Sequence, residues 1–196
     1  MDKFIEAKHI LENHGVVAFP TETVCGLGVI FDDEIAFEKL NQVKGRPENK
    51  PYTLMLSNTQ DIDKYAYVDE EVKKVINAFM PGPITLLLKR KADLPFWVTR
   101  GSDKIGIRVP DDEVTLKLIS TVGKPLLVPS ANKSGEKPAM DIDETKKIFG
   151  SEVDYYIDGK AGGAKPSTIV DMYDSIKVVR QGDITLEEIM KVIGGK

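Results

Sequence analysis

The side chains best suited to chemistry fall in loops. Lys44-Gly45-Arg46-Pro47-Glu48-Asn49-Lys50-Pro51 carries three cations and one anion, a local +2 in a chain whose formal net charge is −4. Gly45 and two prolines give the segment turn character. Arg46 can fork two hydrogen bonds onto a phosphate, while Lys44 and Lys50 add point charges. The set suits a nucleotide triphosphate. It also suits a solvated helix C-terminus, where the dipole favours basic residues. Spacing alone leaves both readings open.

Further polar clusters adjoin apolar runs: Thr21-Glu22-Thr23, Ser130-Ala131-Asn132, Ser167-Thr168 and Arg180. Loops at strand ends form the usual ligand crevice of open α/β sheets. Glu22 suits a base, a Mg²⁺ ligand or an anchor for a backbone turn. Cys25 is the only cysteine. As a nucleophile it would need a base, and the two histidines, His9 and His14, lie on an N-terminal surface helix. It therefore reads as a small buried thiol. Trp97 with Phe96 could stack on a base or anchor the core. Met55 reads as packing within a strand. The common phosphate loops are missing. No G-x-x-x-x-G-K-[ST] occurs, residues 163–168 have the wrong spacing and a proline, and Gly26-Leu27-Gly28 lacks a third glycine.

The elements that must position these groups follow from periodicity. Residues 2–14 predict a helix with Phe4, Ile5, Ala7, Ile10 and Leu11 on one side and Gly15 as its stop. Residues 16–19 predict a buried strand, followed by a turn containing Gly26 and Gly28. Residues 33–44 predict a helix with Ile35, Ala36, Leu40 and Val43 inward and Asp32 or Asp33 as cap. Strands are expected at 52–56, 84–88, 105–109 and 125–128. Helical pieces are expected at 59–65, 69–79, 112–121 and 141–149. Short β-rich runs at 153–157, 168–171 and 176–180 lead to a last helix at 185–193. This interleaving implies an α/β fold, a twisted open mixed sheet flanked by helices. With no repeat or linker, residues 1–196 read as a single domain.

Composition excludes several classes. At 41% hydrophobic residues, 196 residues can build a substantial core. A pI near 5.3 argues against coating nucleic acid by bulk charge. One cysteine and two histidines leave no disulfide framework or His/Cys metal cluster, so no bound metal is expected. The charged N-terminus is no signal peptide, and no stretch nears the ~20 apolar residues that span a bilayer. No membrane association and a cytoplasmic location are expected.

Seven motifs in order then resemble the YrdC-like threonylcarbamoyl-AMP synthase family. They are Phe19-Pro20-Thr21-Glu22-Thr23-Val24-Cys25-Gly26-Leu27-Gly28, Lys44-Gly45-Arg46-Pro47 with Lys50-Pro51, Pro81-Gly82-Pro83-Ile84-Thr85, Ile107-Arg108-Val109-Pro110, Pro129-Ser130-Ala131-Asn132-Lys133-Ser134-Gly135, Pro166-Ser167-Thr168-Ile169-Val170-Asp171 and Val179-Arg180-Gln181-Gly182. The resemblance implies a large basic cavity and a nucleotidyltransferase. It would join L-threonine, bicarbonate or CO₂ and ATP into threonylcarbamoyl-AMP and pyrophosphate, with Mg²⁺ accompanying ATP. The product would serve a separate threonylcarbamoyl transferase complex that makes N6-threonylcarbamoyladenosine in tRNA. Direct contact with tRNA would be weak. Lys44, Arg46, Ser130 and Asn132 match the family's catalytic tetrad around the nucleotide, Lys50 and Arg180 further phosphate contacts, and Thr21, Thr23, Arg108 and Ser167 the threonine site. The chain resembles the short form, without the extra C-terminal domain of some members. Three features depart from many relatives: Cys25 replaces Tyr, Met55 replaces His, and residues 135–140 lack a Ser/Thr-rich stretch. The alternative from another class is an RNA-binding module of this fold without adenylation activity.

Overall fold

The computed structural model describes residues 2–45, 51–91, 94–163 and 165–194. In chain order the elements are α1 (Lys3–Glu12), β1 (Val17–Phe19), β2 (Gly26–Ile30), α2 (Glu34–Lys44), β3 (Thr53–Met55), α3 (Ile62–Tyr65), α4 (Glu70–Phe79), β4 (Ile84–Lys89), α5 (Phe96–Thr99), β5 (Lys104–Arg108), α6 (Glu113–Val122), β6 (Leu126–Leu127), α7 (Ile142–Phe149), β7 (Tyr155–Tyr156), β8 (Thr168–Asp171), β9 (Lys177–Arg180) and α8 (Leu186–Ile193).

Helix starts are written in side chains. Asp2, Asp33, Asp69, Asp112 and Asp141 each accept a first-turn amide of the helix they precede. That satisfies a donor with no intrahelical partner. Thr185 and Glu188 form a reciprocal capping box on α8. Gly45 ends α2 with φ 57°, a left-handed cap that costs glycine little.

The strands form one mixed sheet in the order β7-β1-β2-β6-β3-β5-β4-β8-β9. β1 with β7, β3 with β5 and β4 with β8 run parallel; the other neighbours run antiparallel. Successive strand residues point to opposite faces. Val17, Phe19, Met55 and Leu126 pack with Ala7 and Leu11 of α1 and with Leu118, Ile119 and Val122 of α6. Ala18, Leu54 and Leu127 face the other way, into a larger core with α2, α4, α7 and α8. The expected sheet between helices is therefore present.

Some local expectations fail. Gly26 and Gly28 lie in a strand, not a turn. Each is small for its own neighbour: a Cβ on Gly28 would sit 2.7 Å from Phe19 Cε1, and one on Gly26 2.7 Å from Val128 Cγ1. Ile35 is 60% exposed, and Phe37 takes the inward place. The buried stripe of α2 is Ala36, Phe37, Leu40, Val43 and Lys44, which turns position 35 outward. Ile5 is likewise exposed on α1. Phe96 and Trp97 belong to a one-turn helix, α5, too short for a periodic signal; Trp97 donates its indole N–H to Phe31 O while Phe96 is exposed.

Gly182 tests how tightly the β8–β9 end is closed. A Cβ there would lie 2.5 Å from Pro166 O and Thr168 N, both backbone atoms. Gly182→Ala should cost about 1–3 kcal/mol. Thermal unfolding should show the midpoint falling by roughly 2–10 °C.

Candidate active site

A cavity of ≈ 140 Å³ opens over the sheet, with walls from both ends of the chain. β1 and β2 contribute Thr21, Thr23, Cys25 and Gly26 through the loop between them. β3 contributes Thr53 and Met55, β5 Arg108, β4 Thr85, the loop after β6 Pro129 and Ser130, and the β8–β9 pair Ser167, Ile169 and Arg180. Strand register explains part of this gathering. Met55 is paired with Arg108, Thr85 with Ile169, and Ile169 with Arg180. Arg108 and Arg180 are the charged residues of the described lining, which contains no carboxylate.

Arg108 is only 6% exposed. Its Nη2 donates to Thr23 Oγ1 at 3.0 Å and lies 2.8 Å from Glu22 Oε1. Thr21 Oγ1 donates to Val24 O at 2.8 Å and lies 2.9 Å from Thr23 Oγ1. A hydroxyl has one hydrogen. Because Thr21 spends its hydrogen on Val24, Thr23 must donate to Thr21. Thr23 therefore offers the cavity an acceptor, beside the guanidinium donors of Arg108. That pairing suits a ligand carrying a carboxylate next to an N–H or O–H group.

Arg180 closes the opposite wall. Its Nε and Nη2 donate to Ser167 O at 3.0 and 2.9 Å, and Nη2 reaches Ser167 Oγ at 3.1 Å. Ser167 Oγ in turn lies 3.0 Å from Thr85 Oγ1. Thr85, in a quoted motif yet assigned no role, is thus a site residue. Its signal was a buried hydroxyl within an otherwise apolar strand.

The Ser130–Asn132 loop is pinned from beneath. Lys44 is 1% exposed, and its Nζ donates to Ser130 O at 2.5 Å and Asn132 O at 2.7 Å. Ser134 N returns a bond to Lys44 O. Ser130 Oγ donates to Asn132 Oδ1 at 2.6 Å. Ser130 lines the cavity; Lys44 and Asn132 do not. Two members of the expected tetrad therefore stand behind the third. Arg46 and Lys50, with Pro47, Glu48 and Asn49, lie outside the described residues.

Other candidates resolve into structure. Cys25 is fully buried, and burial pushes its thiol up to about 11. Met55 is buried packing that also forms cavity wall. His14 pairs with Asp33 at 2.8 Å, away from the cavity. Among the described residues no cluster of His, Cys, Asp and Glu could hold a metal ion, and no helix is long and apolar enough to cross a membrane.

Comparison with known proteins adds an independent line. Residues 9–182 match the family model for the Sua5/YciO/YrdC domain, described as "Telomere recombination". Threonylcarbamoyl-AMP synthases of Pyrococcus abyssi and Bacillus subtilis are 36% and 35% identical over 91% and 96% of this chain. The chain spans only 54% and 56% of their lengths. The threonylcarbamoyl-AMP synthase of Halorhodospira halophila is 36% identical, with 82% of this chain and 85% of the relative covered. Among solved structures, P. abyssi Sua5 complexed with L-threonine superposes with a TM-score of 0.92 at 34% identity, over 97% of this chain and 57% of that one. Escherichia coli YciO gives 0.87 at 28% identity, covering 95% and 92%.

Two outcomes test the site's architecture. Cys25 should resist iodoacetamide at pH 8 in the folded protein and react on unfolding, because a thiol near 11 supplies almost no thiolate. Mass spectrometry reads the adduct. Lys44→Met should lose about 1.5–3 kcal/mol as charged hydrogen bonds vanish. Amide exchange at Ala131, Asn132 and Ser134 should accelerate while the sheet stays protected.

Proposed function

The chain belongs to the Sua5/YciO/YrdC family, and from that premise we propose that it is an L-threonylcarbamoyladenylate synthase. It forms threonylcarbamoyl-AMP and pyrophosphate from L-threonine, bicarbonate or CO₂ and ATP, as a nucleotidyltransferase acting in the cytoplasm. The product supplies a threonylcarbamoyl transferase complex for N6-threonylcarbamoyladenosine formation in tRNA. The observation that carries the reading is the small cavity in which Arg108, Thr23 and Ser167 converge beside the pinned Ser130 loop. The likeness to a Sua5 structure holding L-threonine supports it. The RNA-binding alternative is not favoured: the cavity's only described aromatic is Tyr52, where an RNA platform needs several stacked rings.

In this mechanism the threonine amine takes up CO₂ and loses a proton to become a carbamate. A carbamate oxygen attacks the α-phosphorus of ATP; the new O–P bond forms as the bond to the β-phosphate bridging oxygen breaks. Pyrophosphate carries off the electron pair. The nucleophile is already an anion, so the step needs little proton transfer, and catalysis rests on placement and charge. Arg108 holds the threonine carboxylate. Thr23 accepts from the hydroxyl or nitrogen, with Thr21 fixing its hydrogen. Ser167 completes this end. Arg180, with Arg46 and Lys50, neutralises the phosphates. Lys44 and Asn132 act on the nucleotide by holding Ser130 in place. Mg²⁺ would arrive as part of the ATP substrate, where it would help neutralise the phosphate charge.

The decisive assay is pyrophosphate release from Mg-ATP with L-threonine and bicarbonate omitted in turn. Release should require both. Arg108→Ala should raise the L-threonine concentration for half-maximal rate by about 10- to 100-fold, the scale of a lost charge-assisted hydrogen bond. Unchanged threonine dependence would remove Arg108 from the site.

A further inference from the structure

Glu22 is the ion-pair partner of Arg108, and the mechanism above gives it no task. Its side chain is 15% exposed. Oε1 pairs with Arg108 Nη2 at 2.8 Å and accepts the Asp111 amide at 3.0 Å. Oε2 and Arg108 Nε are both buried and both lack a hydrogen-bond partner. Arginine and carboxylate ordinarily meet fork to fork, with two parallel bonds. Here they touch through one nitrogen and one oxygen, and a buried donor and a buried acceptor are left over. Such orphans cost free energy, so this contact is not the one that stability alone would select.

Position supplies the reason. Arg108 and Thr23 line the cavity; Glu22, between Thr21 and Thr23 in the chain, does not. The carboxylate stands behind the guanidinium. The loop that carries it is held from outside: Gly162 N donates to Thr21 O at 2.9 Å and Gly163 N to Thr23 O at 3.1 Å. A Cβ on Gly163 would approach Glu22 O to 2.9 Å, so this cover fits only with glycine. Glu22 is thus fixed by the Asp111 amide on its side chain and by the two glycines on its loop.

We propose that Glu22 is a positioning and tempering residue for the carboxylate end of the substrate. It turns Arg108 so that unspent donors face the cavity. Its charge also lowers the grip of that cation on a carboxylate, so that the product can leave. The inference rests on the threonine reading of the cavity. A guanidinium without a counter-ion in a low-dielectric site would hold an incoming carboxylate more tightly. Threonylcarbamoyl-AMP keeps the threonine carboxylate, so tighter binding would slow its release.

Two substitutions separate charge from placement. Glu22→Gln keeps the shape and the acceptor for Asp111 and Arg108 but removes the charge. It should lower both the Kd and the KM for L-threonine by roughly three- to tenfold, the scale of one partly screened charge pair. Its kcat should fall in step. Glu22→Ala removes the anchor as well and should raise KM by about tenfold or more. Calorimetric titration with L-threonine and steady-state pyrophosphate release, with melting temperatures alongside, measure these quantities. Opposite KM shifts in the two variants would establish the role. A Gln variant with wild-type Kd and KM would overturn it, as would parallel losses in both variants tracking a lowered melting temperature. If the unmodified chain neither binds L-threonine nor needs it for pyrophosphate release, the synthase reading itself falls and takes this one with it. Threonine-dependent release by the unmodified chain beside an indifferent Gln variant would sink Glu22 alone.

Discussion

A guanidinium taken almost wholly out of water needs acceptors, and Arg108 passes that demand to three segments of the chain. Thr23 and Glu22 meet it from the loop between β1 and β2. Asp111 holds Glu22 by its amide. Gly162 and Gly163 lie against the same loop, Gly163 so closely that a Cβ would meet Glu22 O at 2.9 Å. Remove the cation and Glu22 keeps only the Asp111 amide, a largely buried carboxylate without its counter-charge.

A second cation works differently. The Lys44 ammonium meets two backbone carbonyls of one loop, with no carboxylate among its described partners. Through these carbonyls Lys44 organises the Ser130 loop from beneath. The chain is acidic overall, yet the described cavity lining holds Arg108 and Arg180 and no carboxylate; carboxylates serve helix starts and outlying ion pairs such as Lys39 with Asp154. The aspartate caps are an instance: five of them serve helix N-termini.

Much of this was legible in the sequence. An aspartate before an apolar period marked the start of α2, and apolar runs marked strands such as Ile84–Lys89 and Lys104–Arg108, each nearly to its end. Family-ordered motifs marked Thr23, Arg108, Ser130, Ser167 and Arg180, all of which meet at the cavity. What stayed hidden depends on neighbours distant in sequence. Glycines in Gly26-Leu27-Gly28 look like a turn until Val128 is laid against the first and Phe19 against the second. Lys44 reads as a phosphate ligand or a solvated helix end, and its support of the Ser130–Asn132 loop depends on partners 86 and 88 residues away. The end-on contact of Glu22 with Arg108 and its two orphan atoms have no counterpart in any local pattern.

The bonds that build the cavity join remote parts of the chain: Thr23 with Arg108 across 85 residues, Thr85 with Ser167 across 82, and Lys44 with Ser130 across 86. Each closes a long loop whose entropy must be met before the contact rewards it. No single hairpin or helix pair carries a partial version of the site. During synthesis, the wall made by Ser167 and Arg180 emerges after the other described walls of the cavity. A small ligand that bridges those walls would act as a fastener for the native state.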